Sequence, residues 1–360
     1  MKKILIIVCI AFIVTTIGIY SFNFIKYKSE KSAVTPLSMP EASEVDDGII
    51  RISISAAGDC TFGTDINSVG YNSFDSEVVT QKNDYTYFLR LVKPYFEKDD
   101  LTIVNFEGTL SENGERADKQ YAFRGNPEYV KILTSSSVEA VNLANNHTLD
   151  YGAVAFSDTK DIMDENGISH FRGSDVTVRE INGIKVGMIG SNLQRYEDKK
   201  NYLKNLESLK ELQPDLIVAS FHWGIEREYI PTSMQIEYAH LAIDNGADLV
   251  IGHHPHVLHG IEKYNGKYIV YSLGNFCFGG NRNPDDKDTM IFNQVFSFKD
   301  GVLLDDEKVS VIPCSISSVS TRNNYQPMPL SGDEFKRVKE KIIEISSDFA
   351  GIENVEFIEG

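Results

Sequence analysis

The segment Leu249-Val250-Ile251-Gly252-His253-His254-Pro255-His256 sets the fold class. Its first three residues form a short, wholly apolar run of the kind that makes a buried strand, and the run breaks at a glycine into three imidazoles. The same arrangement recurs upstream. Ile50, Ile52 and Ile54 alternate with polar residues and lead into Ala56-Ala57-Gly58-Asp59. Residues 101–106 contain Asn105 and end at Glu107-Gly108. Residues 138–143 end at Asn145-Asn146-His147, and residues 216–221 end at His222-Trp223-Gly224. Helical patterns lie between these runs, at 85–96, 153–166, 126–136 (where Asn126 caps and Pro127 opens the helix) and 233–245 (with Gly246 just beyond). Asn182-Gly183, Asn265-Gly266 and Asp300-Gly301 signal hairpins. Strands alternating with helices predict an α/β fold with a partly parallel sheet. Residues 279–360 read as further strands and an amphipathic helix near 335–345 that complete the same domain.

Sites in open α/β sheets form beyond the carboxyl ends of the strands. Those ends here carry Asp59, Asn105, Glu107, Asn146, His147, His222, His253, His254 and His256. Carboxylates, an amide carbonyl and imidazoles, without a thiol, suit one or two divalent ions such as Mn, Fe or Zn better than a structural zinc. In His254-Pro255-His256 the proline is expected to keep the chain extended, so that both imidazoles point to one side. Two ions ~3.5–4 Å apart suit phosphoester hydrolysis, activating water and neutralising phosphate charge. Glu107, with two oxygens, is the natural bridge, and His147 beside Asn146 can act as general acid.

Other positions admit two readings each. Asp150 either orients His147 or is a turn residue before Tyr151-Gly152. Glu226 follows His222 by four residues; a helical continuation would aim both the same way, making Glu226 a base or substrate contact, against a solvated charge in Glu226-Arg227-Glu228. Trp223, the single tryptophan, packs or stacks on substrate. Arg124 contacts an anion or makes a surface pair, and Asn275 adds a polar group after a strand. His170, His240 and His259 stand apart and read as structural.

Gly58-Asp59, Asn105-Phe106-Glu107-Gly108, the run from Asn145 to Gly152, His222-Trp223-Gly224-Ile225-Glu226, Gly252-His253-His254-Pro255-His256-Val257 and Tyr271-Ser272-Leu273-Gly274-Asn275-Phe276 together resemble the CapA family. That family comprises bacterial capsule-synthesis proteins linked to poly-γ-glutamate and is similar to the calcineurin-like metallophosphoesterases. The resemblance implies layered mixed β-sheets flanked by helices over residues 49–278. It implies one metal site of Glu107, Asn146, His222 and His254 and a second of Asp59, Glu107 and His256. The second is poorer, because Thr61 stands where a D-x-H histidine would be. It places His254 and His256 on the terminal G-H-x-H motif, with an alternative alignment through His253, and makes His147, Asp150 and Glu226 catalytic. Asn105, Trp223, His253, Asn275 and Arg124 are then substrate-side positions. The implied activity is metal-dependent hydrolysis of a phosphoester or related bond, an amide bond of the polymer included. The rival reading is a non-catalytic, polymer-binding or accessory subunit of a synthesis and export complex.

Composition bounds these readings. With 360 residues, 42% hydrophobic and 24% charged, the chain is globular rather than disordered. Its 35 Lys+Arg against 52 Asp+Glu leave a formal charge of −17, which argues against sequence-independent nucleic-acid binding. Four cysteines with no C-x-x-C pair argue against a zinc ribbon. Residues 4–25 are uncharged and follow Lys2 and Lys3; as a helix of ~1.5 Å rise per residue they span the ~30 Å bilayer core. The expectation is a transmembrane signal anchor over 1–25, a polar tether over 26–48 and a single-pass protein of the cell membrane with its main domain extracytoplasmic. Expected partners are an anionic polymer or phosphoester substrate, the membrane through the N-terminal helix, and other capsule-synthesis proteins.

Overall fold

Ile52, Ile54 and Ala56 share one face of the strand Ile49–Thr61, as the two-residue period requires, and all three are fully buried. In the computed structural model, which describes residues 48–193, 198–305 and 308–360, this strand organises a ten-stranded mixed sheet. It runs parallel to Leu101–Phe106, antiparallel to Asp288–Lys299, and at its end parallel to Asn275–Phe278. Ala140–Asn142 and Ser169–Phe171 continue the parallel part. A second, six-stranded sheet has the parallel strands Ile184–Asn192, Leu216–His222, Leu249–His253 and Lys267–Val270 at its centre. Antiparallel edge strands Thr177–Ile181 and Ile261–Tyr264 close it through turns at Asn182-Gly183 and Asn265-Gly266. Both residues of each turn have positive φ, as a two-residue hairpin of this hand needs.

The layers follow from which face each side chain occupies. Ile54, Ile103 and Ala140 of the first sheet share one buried cluster with Val186, Val218 and Ile251 of the second. The outer face of the first sheet, with Ala57, Val104 and Phe106, packs on Phe74, Phe88 and Ile132. The outer face of the second, with Ile217, Ala219, Phe221 and Val250, packs on Leu206, Leu209, Tyr238 and Ala242 of the helices Asp198–Glu211 and Ser233–Asp244. The result is a mixed α/β fold of layered sheets flanked by helices. Burial on both faces is why the strands read as near-continuous apolar runs. Each fully buried Leu, Ile or Phe contributes about 1.5–3 kcal/mol.

Most helices lie close to their expected places, including Gly152–Glu165 and Gly332–Ile345. Asn126 caps a 3-10 turn at Pro127–Tyr129 before the short helix Val130–Thr134. The helix expected over 85–96 is instead a 3-10 turn, Tyr85–Tyr87, and a separate helix, Lys93–Phe96. Pro94 has no N–H to bond backward, so it opens a helix rather than continuing one. Asp198–Glu211 was not expected from the pattern. No helix among the described residues is long and apolar enough to cross a membrane. The anchor expected over 1–25 and the tether over 26–48, its last residue apart, lie outside the described residues.

The face that builds the core also builds the site. Leu101, Ile103 and Asn105 alternate on one face; so do Leu216, Val218, Ser220 and His222, and Leu249, Ile251 and His253. In the first strand strict alternation would place Gly58 there. A register shift between Ala57 and Asp59 instead sets Asp59 opposite Asn105. Gly58 tolerates the crossing because a Cβ there would lie 2.1 Å from the Gly274 carbonyl oxygen.

Candidate metal centre

Asp59 lies fully buried at this convergence. Asn105 Nδ2 donates to its Oδ1 at 2.8 Å, and the His254 backbone N–H donates to Oδ2 at 3.3 Å. His253 Nδ1 is 3.4 Å from Oδ1 and His256 Nδ1 3.2 Å from Oδ2. Burial opposes its ionisation, but hydrogen bonds from His253 and His256 hold its carboxyl well below the usual carboxylate range.

Glu107 is also fully buried, yet neither carboxylate oxygen has a hydrogen-bond partner. Its Oε1 is 3.6 Å from His147 Nε2 and 3.9 Å from His222 Nε2. Burial, then the charge on Asp59, pushes its pKa well above the normal value. An orphaned buried polar group costs about 1–3 kcal/mol, more when charged. A divalent cation between these carboxylates relieves the desolvation and the repulsion together, so the residues fit a metal. The ligand atoms of Asp59, Glu107 and His222 lie within 4.8 Å of one another, and those of Glu226, His254 and His256 form a second such group. Asn146 Oδ1 is 2.8 Å from His222 Nε2. Burial and the nearby His254 hold His222 well below its ordinary pKa; burial and His256 lower His254 to about 4. Both rings are thus neutral, the form that ligates. His256 goes the other way, to about 9, because Glu107 and Asp59 outweigh its burial.

Asp150 answers its two readings in favour of orientation. His147 Nδ1 and Asp150 Oδ2 are 2.6 Å apart, which turns Nε2 toward Glu107. Burial nevertheless lowers the His147 pKa against the pull of Asp150. Lys119, absent from the sequence reading, reaches Asp150 Oδ1 at 2.8 Å, the Asn146 carbonyl at 3.0 Å and His147 Nδ1 at 3.4 Å. The loop that carries it is anchored by Arg116, whose Nε is 3.0 Å and Nη2 2.5 Å from the Asp65 carboxylate. No period or strand end marks Lys119; the available signal was only the length of the structureless stretch between Leu110 and Arg124, which is typical of functional loops.

Five expectations change. Trp223 is fully buried on the outer face; its Nε1 donates to the Tyr271 carbonyl at 2.9 Å and its ring packs on Phe221, so it does not meet substrate. Asn105 and His253 are fully buried beside Asp59 and support that carboxylate rather than reach a substrate. Arg124 stacks on Tyr151 at 4.2 Å, donates to the Asn113 carbonyl and is not among the residues that wall the cleft. The His254-Pro255-His256 segment is not extended: φ is +98° at His254 and +59° at His256, left-handed conformations that cost about 1–3 kcal/mol each for such residues. The chain after His222 does not turn helical either; Arg227 N–H donates to the Pro255 carbonyl and has φ +65°. Asn275 does face the cleft, and its Oδ1 is 2.9 Å from His256 Nδ1. Thr61, in place of a histidine, donates its hydroxyl to the Glu107 carbonyl at 2.8 Å.

The centre opens into a cleft of about 510 Å³ walled by Tyr121, Phe123, His147, Glu226, His256 and Phe278. Residues 53–280 match the family described as "Bacterial capsule synthesis protein PGA_cap". The chain belongs to this family. Among other members, it is 32% identical over 226 residues to "PGA biosynthesis protein CapA" of Bacillus subtilis, covering 56% of this chain and 59% of that protein. It is 28% identical over 267 residues to "Capsule biosynthesis protein CapA" of Bacillus anthracis, covering 65% and 62%. A "probable polyglutamine synthesis accessory protein" of Mycobacterium tuberculosis is 29% identical over 208 residues, covering 49% and 55%. The match thus spans about three fifths of the length of the two CapA relatives. A hypothetical protein of Thermus thermophilus has a similar structure at 14% identity, with a TM-score of 0.46, over 73% of this chain and 99% of that one. The PGA_cap match covers every candidate ligand from Asp59 to His256.

Proposed function

We propose that this chain is a membrane-anchored, extracytoplasmic protein of capsule or poly-γ-glutamate biosynthesis, with a metallophosphoesterase-like fold and a metal-dependent hydrolytic site. The observation that carries the hydrolytic reading is Glu107, a fully buried carboxylate with no hydrogen-bond partner, set between Asp59, His147 and His222. Asp59, Glu107, Asn146, His222, His254 and His256 would hold one or two divalent ions, which supply positive charge for an anionic substrate and activation of water. Asn105 fixes the Asp59 carboxylate, and Thr61 holds the backbone carbonyl of Glu107. His147 faces the centre through Nε2 while Asp150 fixes its other nitrogen, so it can deliver a proton to the leaving oxygen. Phe123, whose ring lies 4.4 Å from that of His147, shields the donor on its cleft side. The family supports the biosynthetic role, and the uncharged N-terminal run supports the anchor.

The test is turnover of aryl phosphate esters by the purified chain with and without Mn²⁺, Fe²⁺ or Zn²⁺. Metal-dependent hydrolysis lost in His147→Ala supports the enzyme. The second reading, a polymer-binding accessory component, is favoured by Thr61 at the position of a missing ligand. Metal-dependent retention of poly-γ-glutamate without turnover of any ester would establish it instead.

A further inference from the structure

We propose that Glu226 is a metal ligand, completing an outer ion site with His254 and His256. The inference rests on the metal-centre reading above and changes its ligand set. The candidate donors divide by depth. Asp59, Glu107 and His222 are all fully buried, whereas in the second group Glu226 is exposed, His256 partly exposed and His254 buried. An ion held toward the cleft needs a donor that the strand ends do not supply. Thr61 is itself buried, and its hydroxyl donates inward to the Glu107 carbonyl. Asp59 has its oxygens shared among Asn105, His253, His256 and the His254 N–H.

Glu226 arrives from a different element, the loop after the His222 strand. A solvated carboxylate on a free loop would have no reason to sit beside two imidazoles. This loop is tied down on the C-terminal side of Glu226. Arg227 N–H donates to the Pro255 carbonyl at 2.8 Å, inside the His254-Pro255-His256 turn itself, and His259 Nε2 is 2.6 Å from the Glu228 carbonyl. The loop and the turn are therefore registered to each other through backbone, and the carboxylate comes within 4.8 Å of both imidazole ligand atoms. One carboxylate with two imidazoles is a facial set of borderline donors that suits Mn²⁺, Fe²⁺ or Zn²⁺ and leaves positions open toward the cleft.

The experiment is calorimetric titration of the chelator-stripped full chain with Mn²⁺ alone, followed by electron paramagnetic resonance. Wild type, Glu226→Gln and His222→Ala are compared, with circular dichroism to confirm folding; an exposed Glu226→Gln leaves the core intact. The expectation is that Glu226→Gln removes one Mn²⁺ or weakens one step by more than about 100-fold, beyond the roughly 10–100-fold that the loss of a group supporting a ligand produces. His222→Ala should weaken a different step, and the spin–spin coupling between two ions should vanish in both variants. Wild type that binds Mn²⁺ with the same stoichiometry, affinity and spectrum as Glu226→Gln overturns the assignment of Glu226 alone. Wild type that binds no divalent ion overturns the metal-centre reading and this one with it.

Discussion

Lys119 Nζ lies 2.8 Å from Asp150 Oδ1, and the same ammonium reaches the carbonyl of Asn146 at 3.0 Å. One cation thus fixes both the carboxylate that orients His147 and the backbone of a candidate ligand. The Phe123 N–H shares the task, donating to Asp150 Oδ2 at 2.6 Å. Asp150 is almost wholly buried, so these partners, rather than water, satisfy its oxygens.

Lys119→Met should therefore reduce turnover or metal affinity by about 10–100-fold, the usual effect of removing a group that orients a ligand. The substitution roughly keeps the length of the stem and removes the charge together with the N–H donors to Asp150 and Asn146. Steady-state kinetics with an aryl phosphate and Mn²⁺ titration check it; unchanged values in both would make Lys119 a surface residue.

His147→Gln should retain metal, because in the proposed role His147 donates a proton and does not ligate. Turnover of an ester with a poor leaving group should fall by about 10²–10⁴-fold. The loss should shrink for a nitrophenolate, which leaves without protonation. Equal losses for both leaving groups would show that His147 positions the substrate instead.

His222→Ala should lower the metal content of the folded protein, since His222 is fully buried between Glu107 and Asn146. Because imidazoles bind metal only when unprotonated, affinity in the wild type should fall as the pH drops through about 9, where His256 gains its proton, and again near about 4, where His254 gains one. Elemental analysis and calorimetry at several pH values read both effects; a flat profile argues against histidine ligation.

Asp99 provides a pH test away from the site. Burial, with the charges of Glu139 and Asp100, pushes its pKa up to about 7, and its Oδ1 has no hydrogen-bond partner. A carboxyl whose folded pKa is raised favours the fold while it is neutral. Its contribution is complete below the unfolded pKa of about 4 and is lost as the pH rises through about 7. Asp99→Asn should remove that loss, gaining about 1–3 kcal/mol over wild type at pH 8, after allowance for partial exposure, and less at pH 4. Urea melts at the two pH values measure it.

Gly58→Ala should cost about 1–3 kcal/mol, because the added Cβ falls 2.1 Å from the Gly274 carbonyl oxygen. It should also lower metal affinity, since the same crossing places Asp59 opposite Asn105. Denaturant melts and Mn²⁺ titration of one preparation test both; loss of stability with unaltered affinity would separate the strand crossing from the ligand.

The sequence by itself determined the strands, the hairpins and the ends at which the chemistry gathers. Apolar runs such as Leu216–His222 and turn dipeptides such as Asn265-Gly266 act through local sterics and burial, which neighbouring residues report. Asp59, Glu107, Asn146, His147, His222 and His254 were readable for the same reason, each standing where a strand stops. Direction and partnership were decided only by tertiary structure. The inward face of Asp59 depends on a register shift against another strand, and the burial of Trp223 depends on which face of its sheet a helix covers. The left-handed His254 is held against the extended preference that Pro255 imposes on it by its N–H bond to Asp59, and the left-handed His256 by its contact with Asn275. Lys119 and Glu226 reach the centre from loops, and a loop residue carries no period from which its partner, 31 residues away for Lys119 and Asp150, could be read. Long-range pairing of charges is a property of the packed molecule, where low dielectric and fixed geometry make it count.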